Sequence, residues 1–356
     1  MNLPIGVCIP TYNGAKYLRE CLDSVLSQTF PDFEILIVDD RSSDETVNIA
    51  KEYADRDRRI RLIVNEQNLG LVGNWNSCIE LAQGEWIKFV FQDDLIEPTC
   101  LEKMFAASKP EIPISFCRRQ FIFEDSTPDE VRSYHLSVLS LLDKFFPLLT
   151  EIPASHYSKA LLSLIGTMGI DINFIGEPVA VMFHRSVLYR FGNFNANLIH
   201  ACDFEFWTRI ASNTGIIYVP ETLATFRLHG QSTTATNQNS RHYRKSTLDP
   251  LIILHDFALA PIYATLRAVA SSHEIINLID FLEHKAYSAR RIAERATVDP
   301  DNPNSSFLAE WEYICQLYPI LSVISKRNLL KRIVIHGTYR WRQLRRQVKA
   351  LSKSHQ

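Results

Sequence analysis

Residues 33–44 read Phe33-Glu34-Ile35-Leu36-Ile37-Val38-Asp39-Asp40-Arg41-Ser42-Ser43-Asp44. A near-continuous apolar run, rich in β-branched residues and stopped by a polar cluster, predicts a strand buried on both faces, the kind that a parallel sheet covered by helices requires. The pattern repeats on either side. Before it, residues 5–10 form a second extended run ending in Pro10-Thr11-Tyr12-Asn13. Residues 17–26 then place Leu18, Cys21, Leu22, Val25 and Leu26 at spacings of three and four, which predicts one buried helical stripe. After it, Ser43, Asp44 and Thr46 open a helix to about residue 55, followed by a strand over 60–64, a helix over 72–82 and a strand over 86–91 that ends in Gln92-Asp93-Asp94. Strands alternating with amphipathic helices predict an α/β protein with a mostly parallel sheet flanked by helices.

Farther along, Pro98 suits the first turn of a helix, residues 114–123 read as a fifth strand, and 131–164 form a Leu-rich helical stretch broken by Pro147 and Pro153, expected as an insertion beside a cleft. Residues 176–183 resume extended structure, 203–211 start a helix, and 216–219 and 223–228 read as short strands. The sheet domain is therefore expected over 1–235, with 1–110 as one half and 111–235 as the other. A polar linker follows over 236–245, then a helical C-terminal region over 246–356.

With 356 residues, 46% hydrophobic and 22% charged, the chain can bury a full core and falls outside the disordered and low-complexity classes. No apolar run reaches the roughly 18 residues of a membrane span, and neither a span nor a secretory signal is expected. Seven cysteines stand without C-x-x-C spacing, so neither a disulfide framework nor a zinc site is expected and a cytoplasmic location follows. The net charge of −2 conceals an asymmetry: residues 326–356 carry ten Lys or Arg and no acid, leaving −12 in the first 325. That basic tail interleaves with Leu329, Leu330, Ile333, Trp341 and Leu344, which suits peripheral contact with an anionic membrane or a charged helix face packed on the protein. No nucleic-acid partner is expected.

In parallel α/β sheets ligands gather at the carboxyl ends of the strands. Here those ends supply Thr11-Tyr12-Asn13, Asp39-Asp40, Asn65 through Gly70 and Asp93-Asp94. Like charges on one rim repel, and a hard divalent cation, Mg²⁺ or Mn²⁺, relieves them by binding one or two carboxylates together with substrate phosphates. The cluster thus points to a nucleotide diphosphate, with Tyr12 stacking on a base and Asp40 accepting from a ring N–H or ribose hydroxyl. The plainer readings are a capping cluster for Asp39-Asp40, a solvated turn for Asp93-Asp94 and a packing ring for Tyr12.

Taken together, Pro10-Thr11-Tyr12-Asn13, Val38-Asp39-Asp40-x-Ser42-x-Asp44, Asn68-x-Gly70, Asn76, Gly84-Glu85-Trp86-Ile87 and Gln92-Asp93-Asp94 resemble glycosyltransferase family 2. Gly176-Glu177-Pro178, Gly192-Asn193-Phe194, the Cys202–Trp207 stretch and Phe226-Arg227-Leu228-His229 resemble its acceptor half. The resemblance implies the A-type nucleotide-diphospho-sugar transferase fold and inverting transfer from a nucleotide sugar, a UDP-sugar by preference, to a glycan or lipid-linked acceptor in cell-surface glycan or polysaccharide synthesis. It further implies that Pro10, Thr11, Tyr12, Asp40, Asn68, Asn76 and Asp93 hold the nucleotide, that Asp94 and His229 hold Mn²⁺ or Mg²⁺, and that Asp203 is the catalytic base. An N-cap role for Asp203, with Glu205 as the base, stays open, as do phosphate contacts from Arg185 and Arg227. Cys202 reads as a small buried side chain and not as a nucleophile. Two departures stand out: Phe91 occupies the first position of the family's Asp-x-Asp-Asp, and Arg340-Trp341 lacks the Gln that marks polymer-extruding synthases. A noncatalytic nucleotide-sugar binder is the rival reading. A dinucleotide oxidoreductase would need a G-x-G-x-x-G turn where Pro10-Thr11-Tyr12-Asn13 stands, and no phosphate loop with G-x-x-x-x-G-K-[ST] occurs.

Overall fold

The computed structural model describes residues 3–125, 127–146, 150–168, 170, 172–230, 232, 243–298 and 305–326. The break read at Pro147, residues 236–242 of the linker and the tail from 327 onward lie outside them; residues 243–245 are helical. The chain divides into two compact units, residues 1–157 with 173–240, and residues 158–172 with 241–356.

The first unit is built on one mixed sheet. Its opening half follows the alternation of the sequence: β1 (Ile5–Thr11), α1 (Leu18–Leu26), β2 (Phe33–Asp39), α2 (Thr46–Ala54), β3 (Ile60–Val64), α3 (Gly70–Leu81) and β4 (Trp86–Phe89). Strands β3, β2, β1 and β4 lie side by side and parallel. Every residue of β1 and β2 is buried, which is what an uninterrupted apolar run demands. The α1 stripe of Leu18, Cys21, Leu22 and Val25 packs on this sheet with Ile49, Ala50 and Tyr53 of α2. Gly84 precedes β4 where two backbones touch: a Cβ there would sit 2.0 Å from Gly6 N and 2.4 Å from Ile5 C. The buried Glu34 carboxylate accepts from Gly84 N at 2.9 Å and closes the same corner.

The chain continues through β5 (Leu95–Ile96), α4 (Cys100–Ala107), β6 (Ile114–Phe123), α5 (Asp129–Phe145), β7 (Glu151–Ile152), α6 (Ala154–Met168), whose residues from 158 on fall in the second unit, β8 (Val181–His184), α7 (Ser186–Phe191), α8 (Cys202–Thr214) and β9 (Ile216–Leu228). Three features differ from the sequence reading. The extended segment over 176–183 begins as a 3-10 turn at Pro178–Ala180, and β8 then enters antiparallel between β4 and β6, so parallel order holds for the first four strands and for β6 with β9. The two short strands over 216–228 are one: the exposed Pro220-Glu221-Thr222 marks register shifts against Cys117, Arg118 and Arg119, an irregularity within a strand where a turn was expected. Two-residue β5 and six-residue α7 carry too little periodicity to be anticipated. An aromatic cluster of Trp75, Phe89, Phe91, Phe194, Phe206 and Trp207 joins α3 and β4 to α8, with Phe194 and Phe206 centroids 4.3 Å apart.

In the second unit, α9 (Asp249–Leu259), α10 (Ala264–Ser272), α11 (Leu278–Val298), α12 (Ser305–Leu317) and α13 (Pro319–Ile324) bury Leu251, Ile252, Phe257, Leu282, Ala286, Phe307, Ile314 and Leu321. Buried Arg244 pairs with Asp249 at 2.9 Å and Glu310 at 3.1 Å, so its charge is compensated. Among the described residues no single helix is long and apolar enough to cross a membrane.

Candidate active site

The loops after β1 and β2 are laced together by short polar side chains. Asp39, fully buried, accepts from Thr11 Oγ1 at 2.8 Å, Ser42 N at 2.8 Å and Ser42 Oγ at 2.6 Å. Asn13 and Arg41 both adopt the left-handed region (φ 48° and 69°), and Asn13 is held there because its side-chain Oδ1 accepts from Ser43 N and its backbone N–H donates to Ser42 Oγ, each at 2.8 Å. Gly14 N donates to Thr46 Oγ1 at 2.8 Å. The Gln92 amide then clamps Tyr12 from the β4 side, accepting from Tyr12 N at 2.9 Å and donating to Tyr12 O at 3.1 Å.

Asp40 both caps and faces the cleft. Its carboxylate accepts from Leu69 N at 2.7 Å, Gly70 N at 2.9 Å and Asn65 Nδ2 at 2.9 Å, which satisfies the first amides of α3, and Asn68 Nδ2 donates to its backbone carbonyl at 3.0 Å. The capping reading and the nucleotide reading therefore share one side chain. Asp40→Ala is expected to lower unfolding stability by about 2 kcal/mol, from the lost cap and the orphaned amides, measured as a lower midpoint in urea at unchanged slope.

These loops form one side of a cleft of about 900 Å³ lined by Pro10, Thr11, Tyr12, Asp40, Asn68, Asp93, Asp203 and His229 among others. Tyr12 is 51% exposed, so its ring is presented and not packed. Asp93 Oδ2 lies 2.9 Å from His229 Nε2, joining the end of β4 to the end of β9. The His229 ring rests on Tyr17 at 4.8 Å, and Arg227 covers Tyr17 at 4.7 Å while donating to the Asp93 carbonyl and pairing with Glu20.

Two expected site residues stand elsewhere. Asp94 is fully buried behind the cleft wall, where Oδ1 accepts from Arg227 N at 3.0 Å and Oδ2 finds no partner among the described residues. Desolvation, and then the Asp93 charge, push its carboxyl well above the ordinary range. Asp93, not Asp94, is the carboxylate at the cleft, because the turn after β4 sends consecutive side chains to opposite sides. Asn76 does not line the cleft; its amide brackets Phe194, donating to the carbonyl at 3.1 Å and accepting from N–H at 3.0 Å. Arg185 donates to the carbonyls of Ala82 and Gln83, and Arg227 is engaged as above, so neither is aimed at a phosphate here. Cys202 is buried, as expected.

The other side of the cleft belongs to α8 and the loop before Pro178. Asp203 Oδ1 accepts from Phe204 N at 2.7 Å and Oδ2 from Asn173 Nδ2 at 2.9 Å. Burial raises its carboxyl to about 7, with the Glu177 charge adding to the rise and the Phe204 N–H and Arg119 opposing it. Glu177 also lines the cleft, but it is ion-paired with buried Arg119. Glu205, the alternative base, is buried and paired with Arg209 at 2.8 Å, away from the cleft. Sequence reasoning missed Gln92 as a clamp, Lys16 and Tyr17 as cleft residues, and Glu177 and Asn173 as neighbours of Asp203. Only Gln92 and Glu177 had a signal, their place inside quoted motifs.

The mostly parallel half thus sends an aromatic ring and carboxylates to one rim of the cleft, and the other half answers with a half-buried acid at a helix start. The profile described as Glycosyl transferase family 2 matches residues 6–164. An uncharacterized protein of Mycobacterium tuberculosis is 32% identical over 252 residues, 70% of this chain and 74% of that one. The glycosyltransferase GlyA of Streptococcus pneumoniae is 39% identical over 101 residues, 28% of this chain and 14% of that relative, so the likeness there spans a small part of a longer protein. Among solved structures, S. aureus TarS 1-349 in complex with UDP-GlcNAc superposes with a TM-score of 0.56 at 19% identity, covering 96% of this chain and 92% of that one. The chain belongs to glycosyltransferase family 2 and has its α/β fold with C-terminal helices.

Proposed function

We propose that the chain transfers a sugar from a UDP-sugar to an acceptor hydroxyl with inversion at the anomeric carbon. The observation that carries this reading is the shared cleft: Tyr12 and Asp40 on one side, the Asp93–His229 pair at its floor, and Asp203 opposite, a carboxyl raised to about 7 by burial. Tyr12 offers a face for the base, and Asp40 Oδ2, which accepts one bond from Gly70 N, retains capacity for a ring N–H or ribose hydroxyl. Asp203 takes the proton of the attacking hydroxyl; of the two carboxylates that the acceptor half brings to the cleft, it is the one held by neutral donors, since Glu177 is ion-paired. With one such base and no second carboxylate acting as nucleophile, a single in-line displacement inverts the centre.

The donor set fits Mn²⁺ or Mg²⁺ held by few protein atoms. Asp93 and His229 are adjacent and would hold such an ion, with a donor diphosphate completing its coordination. Such an ion, when bound, supplies charge neutralisation for the departing diphosphate. TarS was solved with UDP-GlcNAc, which supports uridine as the first base to try.

A glycan or lipid-linked acceptor, a place in cell-surface glycan synthesis and a cytoplasmic location belong to the same reading. Peripheral contact with an anionic membrane is supported by the basic composition of 326–356 and by exposed Tyr313, Leu317, Ile320 and Val323 just before it. The test is a panel of nucleotide sugars with and without Mn²⁺, read by thermal shift. A ligand at 100 times its dissociation constant adds about 2.7 kcal/mol, so a UDP-sugar should raise the melting temperature by several degrees and more so with metal. No shift with any nucleotide sugar overturns the donor-site assignment.

A further inference from the structure

We propose that Asn173 is the positioning residue of the Asp203 carboxylate, fixing the orientation of Oδ2 through a donor that the turn holds in place. The inference rests on the reading of Asp203 as the base. Asn173 and Gly176 form a closed turn: Asn173 Oδ1 accepts from Gly176 N at 3.0 Å, and Asn173 Nδ2 donates to Gly176 O at 2.9 Å. That pairing settles which way the amide faces, and the same Nδ2 donates to Asp203 Oδ2 at 2.9 Å. The turn is held from two further sides. Trp207, one helical turn beyond Asp203 on α8, donates Nε1 to Gly176 O at 3.2 Å. Arg119 of β6 donates to the carbonyls of Asn173 and Ile175 at 3.4 and 3.3 Å and pairs with Glu177. Gly176 has φ 120°, and a Cβ there would meet the Arg119 guanidinium at 2.6 Å, so the turn closes only with glycine.

The consequence is chemical. Asp203 Oδ1 is tied to its own helix through Phe204 N, leaving Oδ2 and the Asn173 donor to set how the carboxylate faces the cleft. The charged groups around it are Glu177 and Arg119 from the facing loop and strand, and Glu205 and Arg209, paired with each other, on its own helix; His200 also lines the cleft. Burial raises this carboxyl and Glu177 adds to the rise, while the Asn173 N–H donated to Oδ2 at 2.9 Å favours the ionised form, as any donor to a carboxylate does.

The test uses the whole chain and two substitutions. Asn173→Ser keeps a turn acceptor for Gly176 N but removes the amide donor, and Asn173→Asp keeps the shape and sets a second carboxylate against the first. The acid limb of the kcat/KM profile should move up by about one pH unit for the serine variant and further for the aspartate, giving about tenfold loss below neutrality that recovers at high pH. A carboxyl-carbon NMR titration of Asp203, assigned by its disappearance in Asp203→Asn, should move the same way and needs no turnover. Trp207→Phe, which removes one brace of the turn and keeps the Asn173 amide, should lower the melting temperature and move that titration less than either Asn173 variant. If the two Asn173 variants lose activity equally at every pH, or Asp203 titrates as in wild type, the positioning role is overturned. If instead no nucleotide sugar is ever turned over, the base reading fails while the NMR arm still decides what Asn173 does.

Discussion

Asp203→Asn should lower kcat by 10²- to 10⁴-fold, the contribution of a positioned general base, while nucleotide-sugar affinity stays unchanged because the donor-side residues are untouched. In the wild type the rate should climb with pH through an apparent value of about 7 and then level, since only the ionised carboxylate can take the acceptor proton. The same proton governs stability. Between the ordinary value of 3.8 and about 7 the folded chain keeps a proton that the unfolded chain releases, so stability falls as pH rises through that window. Asp203→Asn should therefore melt higher than wild type at pH 8, by about 2 kcal/mol, less than the proton shift alone would give because the introduced amide meets the Asn173 donor. That advantage should vanish near pH 4, where both forms are neutral. Wild-type protein that binds a nucleotide sugar yet turns over no acceptor would mark the chain as a noncatalytic binder and remove Asp203 from the chemistry.

The second large effect separates two neighbouring carboxylates. Asp93→Ala should cut kcat/KM by about 100-fold or more and abolish the Mn²⁺-dependent part of the nucleotide-sugar thermal shift, because it removes the carboxylate that faces the cleft beside His229. Asp94→Asn should leave the metal-dependent shift intact. Its carboxyl is buried behind the wall and pushed toward neutrality by desolvation and by Asp93, so neutralising it should keep or raise the melting temperature. The reverse pattern, with the metal response lost in Asp94→Asn and kept in Asp93→Ala, would return the metal to Asp94 and show that the turn after β4 rearranges on binding.

The acidic pair at 93–94 shows where reading along the chain stops. Two adjacent Asp residues look equivalent in sequence, and which one reaches the cleft depends on a turn whose course is set by Arg227, 133 positions away from Asp94. Asn76 lies within the matched motifs, yet its amide is spent on Phe194, a contact that spans 118 residues. Asp40 falls between the two outcomes. A capping role could be read from its place after a strand, but the amides it caps, Leu69 and Gly70, lie 29 and 30 residues on at the start of α3, brought beside it because β3, which leads into α3, pairs with β2 in parallel.

What the residues determined unaided was the parallel half of the sheet: β1 to β4 and α1 to α3 follow from apolar periodicity, a local property written within a dozen residues at a time. Burial of those runs sent Thr11, Tyr12, Asp40 and the Asp93-Asp94 pair to the end of the parallel strands without further information. The tertiary structure alone decided the antiparallel entry of β8, the withdrawal of Asp94 and the tie from Asn173 to Asp203, because each depends on groups far apart in the chain. Such long-range packing sets how buried a carboxyl is and which donors reach it, and those two quantities fix its charge.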